Sequence, residues 1–247
     1  VGPLTYETYD KNQNVTRYEY AADGSYRNAR YDAYGTPQER KTTTARNSHY
    51  QVTTEEVQAK SGSTYITKQR RTFTYDTDGN VASVKVEDPA LGIARTTAYN
   101  YCTQVEMLDG KCPLTQLLTS IDGPRTDVVD KTVFAYYQDS ASFCADPLGA
   151  CPYVKGYLKS VTNPLNQKIE YLSYSRYGRV GAIKDQNGVI TDFEYDAYGR
   201  VTARKRRGTN DTAETDDQIT RIEYWPIGQI KKVTQPDGTF TAYAYDS

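Results

Sequence analysis

The chain has 247 residues, room for one or two domains, and its 30 basic and 31 acidic side chains leave a net charge of -1. That balance excludes a sequence-independent nucleic-acid binder, which needs a basic excess, and no apolar run approaches the roughly 18 to 20 residues of a membrane helix. Leu, Ile, Val and Phe are scarce while Tyr reaches 24 copies and Thr is abundant, so the composition predicts an all-β protein with a thin aromatic core.

In chain order, the first elements are copies of one short word. Tyr9-Asp10-Lys11-Asn12-Gln13-Asn14-Val15, Tyr31-Asp32-Ala33-Tyr34-Gly35-Thr36 and Tyr75-Asp76-Thr77-Asp78-Gly79-Asn80-Val81 are spaced by 22 and 44 residues. Each predicts a strand that ends on the Tyr and runs into a turn, with Asp bonding the backbone ahead and Gly taking the positive φ. Asp76 to Asn80 with Glu87 superficially imitates a calcium loop, but Val81 stands where the loop glycine belongs. The turn reading is preferred there, and no metal or cofactor site is predicted. The N-terminus, beginning Val1-Gly2-Pro3, lacks an initiator Met and the features of a signal peptide. It reads as the start of a piece of a longer protein.

Between about residues 100 and 156 the period stretches, and all four cysteines fall there. Cys102 and Cys112 are ten apart, Cys144 and Cys151 seven apart. Two local disulfides are the preferred reading, which would place the protein in an oxidising compartment. Buried free thiols, a crossed pairing and a metal site remain open. No zinc spacing occurs, and the single histidine, His49, removes most histidine-dependent catalysis.

The period returns with Tyr174-Ser175-Arg176-Tyr177-Gly178-Arg179-Val180, Tyr195-Asp196-Ala197-Tyr198-Gly199-Arg200-Val201, Tyr224-Trp225-Pro226-Ile227-Gly228-Gln229-Ile230 and the truncated Tyr245-Asp246-Ser247. Gly2, Gly24, Gly188 and Gly238 stand seven residues before Tyr9, Tyr31, Tyr195 and Tyr245. Asn187-Gly188 and Asp237-Gly238 are hairpin signals. A second interruption, at about 206–218, follows the basic run Arg204-Lys205-Arg206-Arg207, which is expected to face the acidic residues after it across a hairpin. Repeats of two strands at a period near 21 predict one continuous antiparallel sheet from 1 to 247, curved or spiral because so wide a flat sheet would twist or split.

The word Tyr-Asp-x-x-Gly-Arg-Val with a Gly seven residues upstream resembles the RHS or YD-repeat family, and Tyr195 to Val201 is a near-consensus copy. The family comprises large bacterial surface or secreted proteins, with relatives in Tc toxin shells and animal teneurins. The resemblance implies tandem β-hairpins forming part of a β-shell around a C-terminal toxin or effector. In family shells, Asp-Pro-x-Gly elements mark self-cleavage. Asp146-Pro147-Leu148-Gly149 matches that tetrapeptide but lacks a second copy downstream, and turn chemistry accounts for it.

The functional expectation is therefore a non-enzymatic, secreted or cell-surface bacterial shell segment. Its partners would be the rest of the shell and an effector, with no nucleic acid and no membrane insertion. Its key residues would be structural: Tyr9, Tyr31, Tyr75, Tyr174, Tyr195, Tyr224 and Tyr245 as strand anchors, Gly178, Gly199 and Gly228 in turns. Recurring Asp10, Asp32, Asp76, Asp196 and Asp246 read as turn formers. The alternative is an adhesion or carbohydrate-binding module whose exposed tyrosines contact glycans. Open sheet edges would let the isolated piece pair into a dimer through its strands.

Overall fold

The structure is a computed structural model that describes residues 2–141, 153–175, 177–209 and 215–246. Among the described residues, eighteen strands make the chain all-β. In order they are β1 (Leu4–Tyr9), β2 (Val15–Tyr20), β3 (Arg27–Asp32), β4 (Arg40–Arg46), β5 (Val52–Ser61), β6 (Thr64–Tyr75), β7 (Val81–Asp88), β8 (Ile93–Tyr101) and β9 (Leu118–Asp122). The series continues with β10 (Lys131–Tyr136), β11 (Leu158–Thr162), β12 (Lys168–Tyr174), β13 (Val180–Lys184), β14 (Ile190–Tyr195), β15 (Val201–Arg206), β16 (Gln218–Tyr224), β17 (Ile230–Thr234) and β18 (Phe240–Ala242).

The chain packs as two compact units, residues 1–101 with 121–130 and residues 102–120 with 131–247. In the first unit each strand from β1 to β8 pairs antiparallel with its successor. The second unit repeats this from β10 to β18. The result in each is an open ladder of hairpins.

Little of this ladder is dry. The buried apolar residues among those described are Ala29, Tyr31, Cys102, Cys112, Tyr174, Ala182 and Ala203. With so small a core, hydrogen bonds and half-covered aromatic rings must carry much of the cohesion.

One departure from the pure β expectation lies in the stretched region. A short helix, α1 (Gln104–Leu108), starts on a capping box: the Glu106 N–H donates to Thr103 Oγ1 (3.2 Å), and the Thr103 N–H donates to Glu106 Oε2 (2.9 Å). Around it Cys102 and Cys112 form a disulfide with their Cα atoms 6.2 Å apart. Cys144, Cys151 and the Asp146-Pro147-Leu148-Gly149 element lie outside the described residues.

Candidate functional site

The repeated word folds into two linked devices, a turn and a tyrosine clamp. The same five-residue turn recurs with its first residue at Asp10, Asn47, Asp76, Asn163, Ser175, Asp185, Asp196, Trp225 and Gln235. In each, the first residue's N–H donates to the fifth residue's carbonyl, and the fourth residue's N–H donates back to the first carbonyl. The fourth residue has positive φ throughout, which is why Gly178 (+76°), Gly199 (+79°) and Gly228 (+96°) stand there. Asp76, Asp185 and Asp196 use a carboxylate oxygen to accept the N–H groups of the third and fifth residues at 2.8–3.0 Å. Thus Asp185-Gln186-Asn187-Gly188 and Gln235-Pro236-Asp237-Gly238 close hairpins in which glycine is the fourth member of the turn.

The clamp answers a gap in the ladder. β13 and β14 are in register from Ala182 and Asp192 onward, which leaves Val180, at the start of β13, without a facing residue on β14. The hydroxyl of Tyr195, at the far end of β14, donates to the Val180 carbonyl at 2.7 Å. A side chain therefore supplies the donor that the backbone cannot. The arrangement recurs as Tyr75 to Val52 (2.7 Å), Tyr174 to Leu158 (2.5 Å), Tyr224 to Val201 (2.9 Å) and Tyr245 to Ile230 (3.0 Å). Tyr136 does the same to Leu118 (2.7 Å), a copy that the weakened repeat of that region conceals in the sequence.

On their other side Tyr75, Tyr136, Tyr174, Tyr195 and Tyr224 sit at register irregularities. Tyr75, Tyr174, Tyr195 and Tyr224 oppose Val81, Val180, Val201 and Ile230. The slip is what a bulge does: it kinks the strand and re-aims the side chain. Burial pushes the Tyr174 phenol up to about 12 and raises Tyr136 and Tyr195 as well. Those three phenols therefore stay protonated, as donors, to higher pH than a free phenol.

Tyr9 and Tyr31 depart from this scheme. Tyr9 is exposed, and its hydroxyl donates to Glu7 at 3.2 Å. At Tyr31 the equivalent carbonyl, that of Val15, is already taken by the Tyr34 N–H at 2.9 Å. The Tyr31 hydroxyl turns instead to Glu19 Oε2 at 3.0 Å. Asp32 likewise forms an ion pair with Arg30 at 2.6 Å, where the sequence suggested a turn former. The basic run also finds unexpected partners. Arg207 makes a two-pronged pair with Asp192 (2.6 and 2.9 Å), and Lys205 pairs with Glu194. The acids that hold them lie on β14, the preceding strand.

A buried polar cluster surrounds Tyr31. Glu39, only 2% exposed, accepts from the Tyr65 hydroxyl, from the Gly35 N–H at 2.8 Å and from Lys60 Nζ at 3.1 Å. Lys41 Nζ lies 5.1 and 5.3 Å from the ring centres of Tyr31 and Tyr65. Burial pushes the Glu39 carboxyl up, but its three donors prevail and hold it below the ordinary range. Burial, aided by Glu19, raises Tyr31 to about 12, and burial with Glu39 raises Tyr65 further. Both directions run away from neutrality, opposite to what acid–base chemistry requires. Nothing in the sequence repeat marks this cluster, because Glu39 lies outside the repeated word.

Arginines at the fifth turn position tie neighbouring turns together. A Cβ on Gly199 would come within 1.9 Å of the Arg179 guanidinium, so that side chain lies directly over the next turn. Arg200 pairs with Asp196 at 2.6 Å, stacks on Tyr224 at 4.5 Å and reaches the Trp225 carbonyl of the following turn at 3.3 Å. Among the described residues no group of three His, Cys, Asp or Glu is placed to hold a metal ion, and no helix is long and apolar enough to cross a membrane.

No family model matches the chain, and no curated protein matches it. Solved structures do match. A crystal structure of TcdB2-TccC3-TEV is 15% identical over 94% of this chain and 14% of that one, with a TM-score of 0.35. A Photorhabdus luminescens Tc holotoxin pore is 14% identical over 92% and 15%, with a TM-score of 0.26. A crystal structure of TcdB2-TccC3 is 15% identical over 94% and 17%, with a TM-score of 0.25. These are Tc toxin structures. This chain spans about one-seventh of the length of the chains it matches.

Proposed function

We propose that the chain is a non-catalytic wall segment of an RHS-type shell that encloses or presents a C-terminal toxin or effector. The observation that carries this reading is the tyrosine clamp, in which Tyr75, Tyr136, Tyr174, Tyr195, Tyr224 and Tyr245 each spend a hydroxyl on joining strands. Asp and Arg of the same word are spent on turns and on ties between turns. A sheet built this way lengthens by adding identical hairpins, and residues 1–247 would form one continuous stretch of it. Its partners are the flanking shell and the effector. Its place is the cell surface or the exterior of a bacterium, where the Cys102–Cys112 bond survives. Cryo-electron microscopy of the full-length protein tests this: density for an effector inside a wall containing these hairpins supports it. A projecting, solvent-surrounded repeat with nothing enclosed overturns it.

One observation favours a second reading. Tyr177, Tyr198 and Ile227, each the third residue of its turn, are 70%, 79% and 81% exposed along one edge of the second unit. Rings presented this way suit stacking on sugars, as an adhesion module requires. A glycan array on the wild type and on Tyr177→Ala/Tyr198→Ala tests it: binding lost in the double variant would move adhesion ahead of the shell.

A further inference from the structure

Tyr137 and Tyr153 are stacked face to face, with ring centroids 4.0 Å apart and planes tilted by 2°. Every other tyrosine pair among the described residues is 4.7 Å or more apart. Aromatic pairs ordinarily settle at offset or edge-on geometries with separations of about 4.5 to 7 Å, so this pair is unusually close. It is also firmly mounted. The Tyr137 hydroxyl donates to the Tyr171 carbonyl at 2.6 Å. Backbone bonds from Ala141 to Tyr153 (3.1 Å), from Gly156 to Tyr137 (2.9 Å) and from Tyr137 to Tyr157 (2.9 Å) lace the two segments together. Both rings are half-buried, leaving part of each open to a small oxidant.

We propose that Tyr137 and Tyr153 are an oxidative cross-linking site, at which a one-electron oxidant of the peroxidase class joins the two rings by a carbon–carbon bond. Each phenol loses one electron and its hydroxyl proton, leaving a phenoxyl radical with spin on the carbons ortho to oxygen. Two ortho carbons couple, each then loses its ring hydrogen, and each oxygen regains a proton. The net change is one new C–C bond and two hydrogens removed, which hydrogen peroxide accepts to become two waters. Holding the rings in contact favours this coupling over encounters between separate chains, because the collision is already arranged. The product would close the chain between residues 137 and 153 covalently, as the Cys102–Cys112 disulfide closes its own segment in the same unit. The inference stands whether or not the shell reading does.

The test treats the 247-residue chain with peroxidase and hydrogen peroxide, then maps dityrosine-linked peptides by mass spectrometry in the monomer fraction. The expected result is a dominant Tyr137–Tyr153 link in folded protein, at least tenfold reduced when the chain is first unfolded in urea. Tyr153→Phe keeps the ring, and with it the stack, but removes the phenol; it should abolish that link alone. The inference is overturned if links follow exposure, concentrating on Tyr9, Tyr50 and Tyr198. It is equally overturned if the Tyr137–Tyr153 link is absent from folded protein or forms equally well in urea.

Discussion

Replacing Gly199 with Val separates two contributions to the repeat turn. Gly199 has φ of +79°, where a β-branched residue is strained by about 1 to 2 kcal/mol. The new Cβ would also occupy the place of the Arg179 guanidinium, 1.9 Å away. Arg179 would have to swing off its turn and lose its stacking on Tyr195, now 5.9 Å from the ring centre, a contact worth about 0.5 to 1 kcal/mol. The expected total is about 1.5 to 3 kcal/mol, or a melting temperature lower by about 4 to 12 °C for a unit of this size. Gly188→Val is the control: its φ is +83°, but the nearest atom to the new Cβ is Lys184 Cε at 3.9 Å. It should cost only the backbone strain. Thermal and urea unfolding followed by circular dichroism read both variants, and Arg179→Ala with the double variant completes the cycle. Unchanged stability in Gly199→Val would refute the turn assignment. Equal costs at the two glycines would refute the role given to Arg179.

Other perturbations reach the clamp, the cluster and the disulfide. Tyr195→Phe and Tyr224→Phe should each cost about 1 to 2 kcal/mol in urea unfolding, since a carbonyl loses its donor. Tyr198→Phe, on a ring 79% exposed, should cost almost nothing. Glu39→Gln should destabilise the first unit by about 2 kcal/mol, because Lys60 and Tyr65 keep their places around a group that no longer carries charge. Raising the pH from 10 towards 12 should loosen both units. Tyr31 and Tyr174 hold their protons up to about 12 when folded, against 10.0 when unfolded, so the unfolded chain releases protons first and stability falls through that window. Flat stability between pH 10 and 12 would contradict their burial. Reducing the Cys102–Cys112 bond should cost about 2 to 3 kcal/mol, as expected for so short a closed loop, measured as a drop in urea midpoint relative to the oxidised chain.

The hairpins were legible in the sequence because their signals are local. Asp, Gly and the strand-ending Tyr fall within seven residues, and turn chemistry at that range needs no distant partner. What each tyrosine does was not legible. Its hydroxyl bonds a carbonyl 15 to 23 residues away in chain order, and the gap it fills exists only once strands are in register. The same limit explains Tyr31, diverted by a Tyr34 N–H that the repeat does not predict, and Glu39, whose three donors arrive from different parts of the first unit. The helix has a local signal of its own, since Thr103-Gln104-Val105-Glu106 spells a capping box, but it lies in the stretched region of a chain whose repeat period predicts only strands.

The most direct test of the shell account is limited proteolysis of the full-length protein that carries this segment, with mass spectrometry of what survives. The account predicts a C-terminal fragment that is protected, or already severed yet still held by the repeat region. A C-terminus digested as freely as an exposed loop, or no such domain at all, would contradict enclosure and leave the exposed turn tyrosines as the feature to explain.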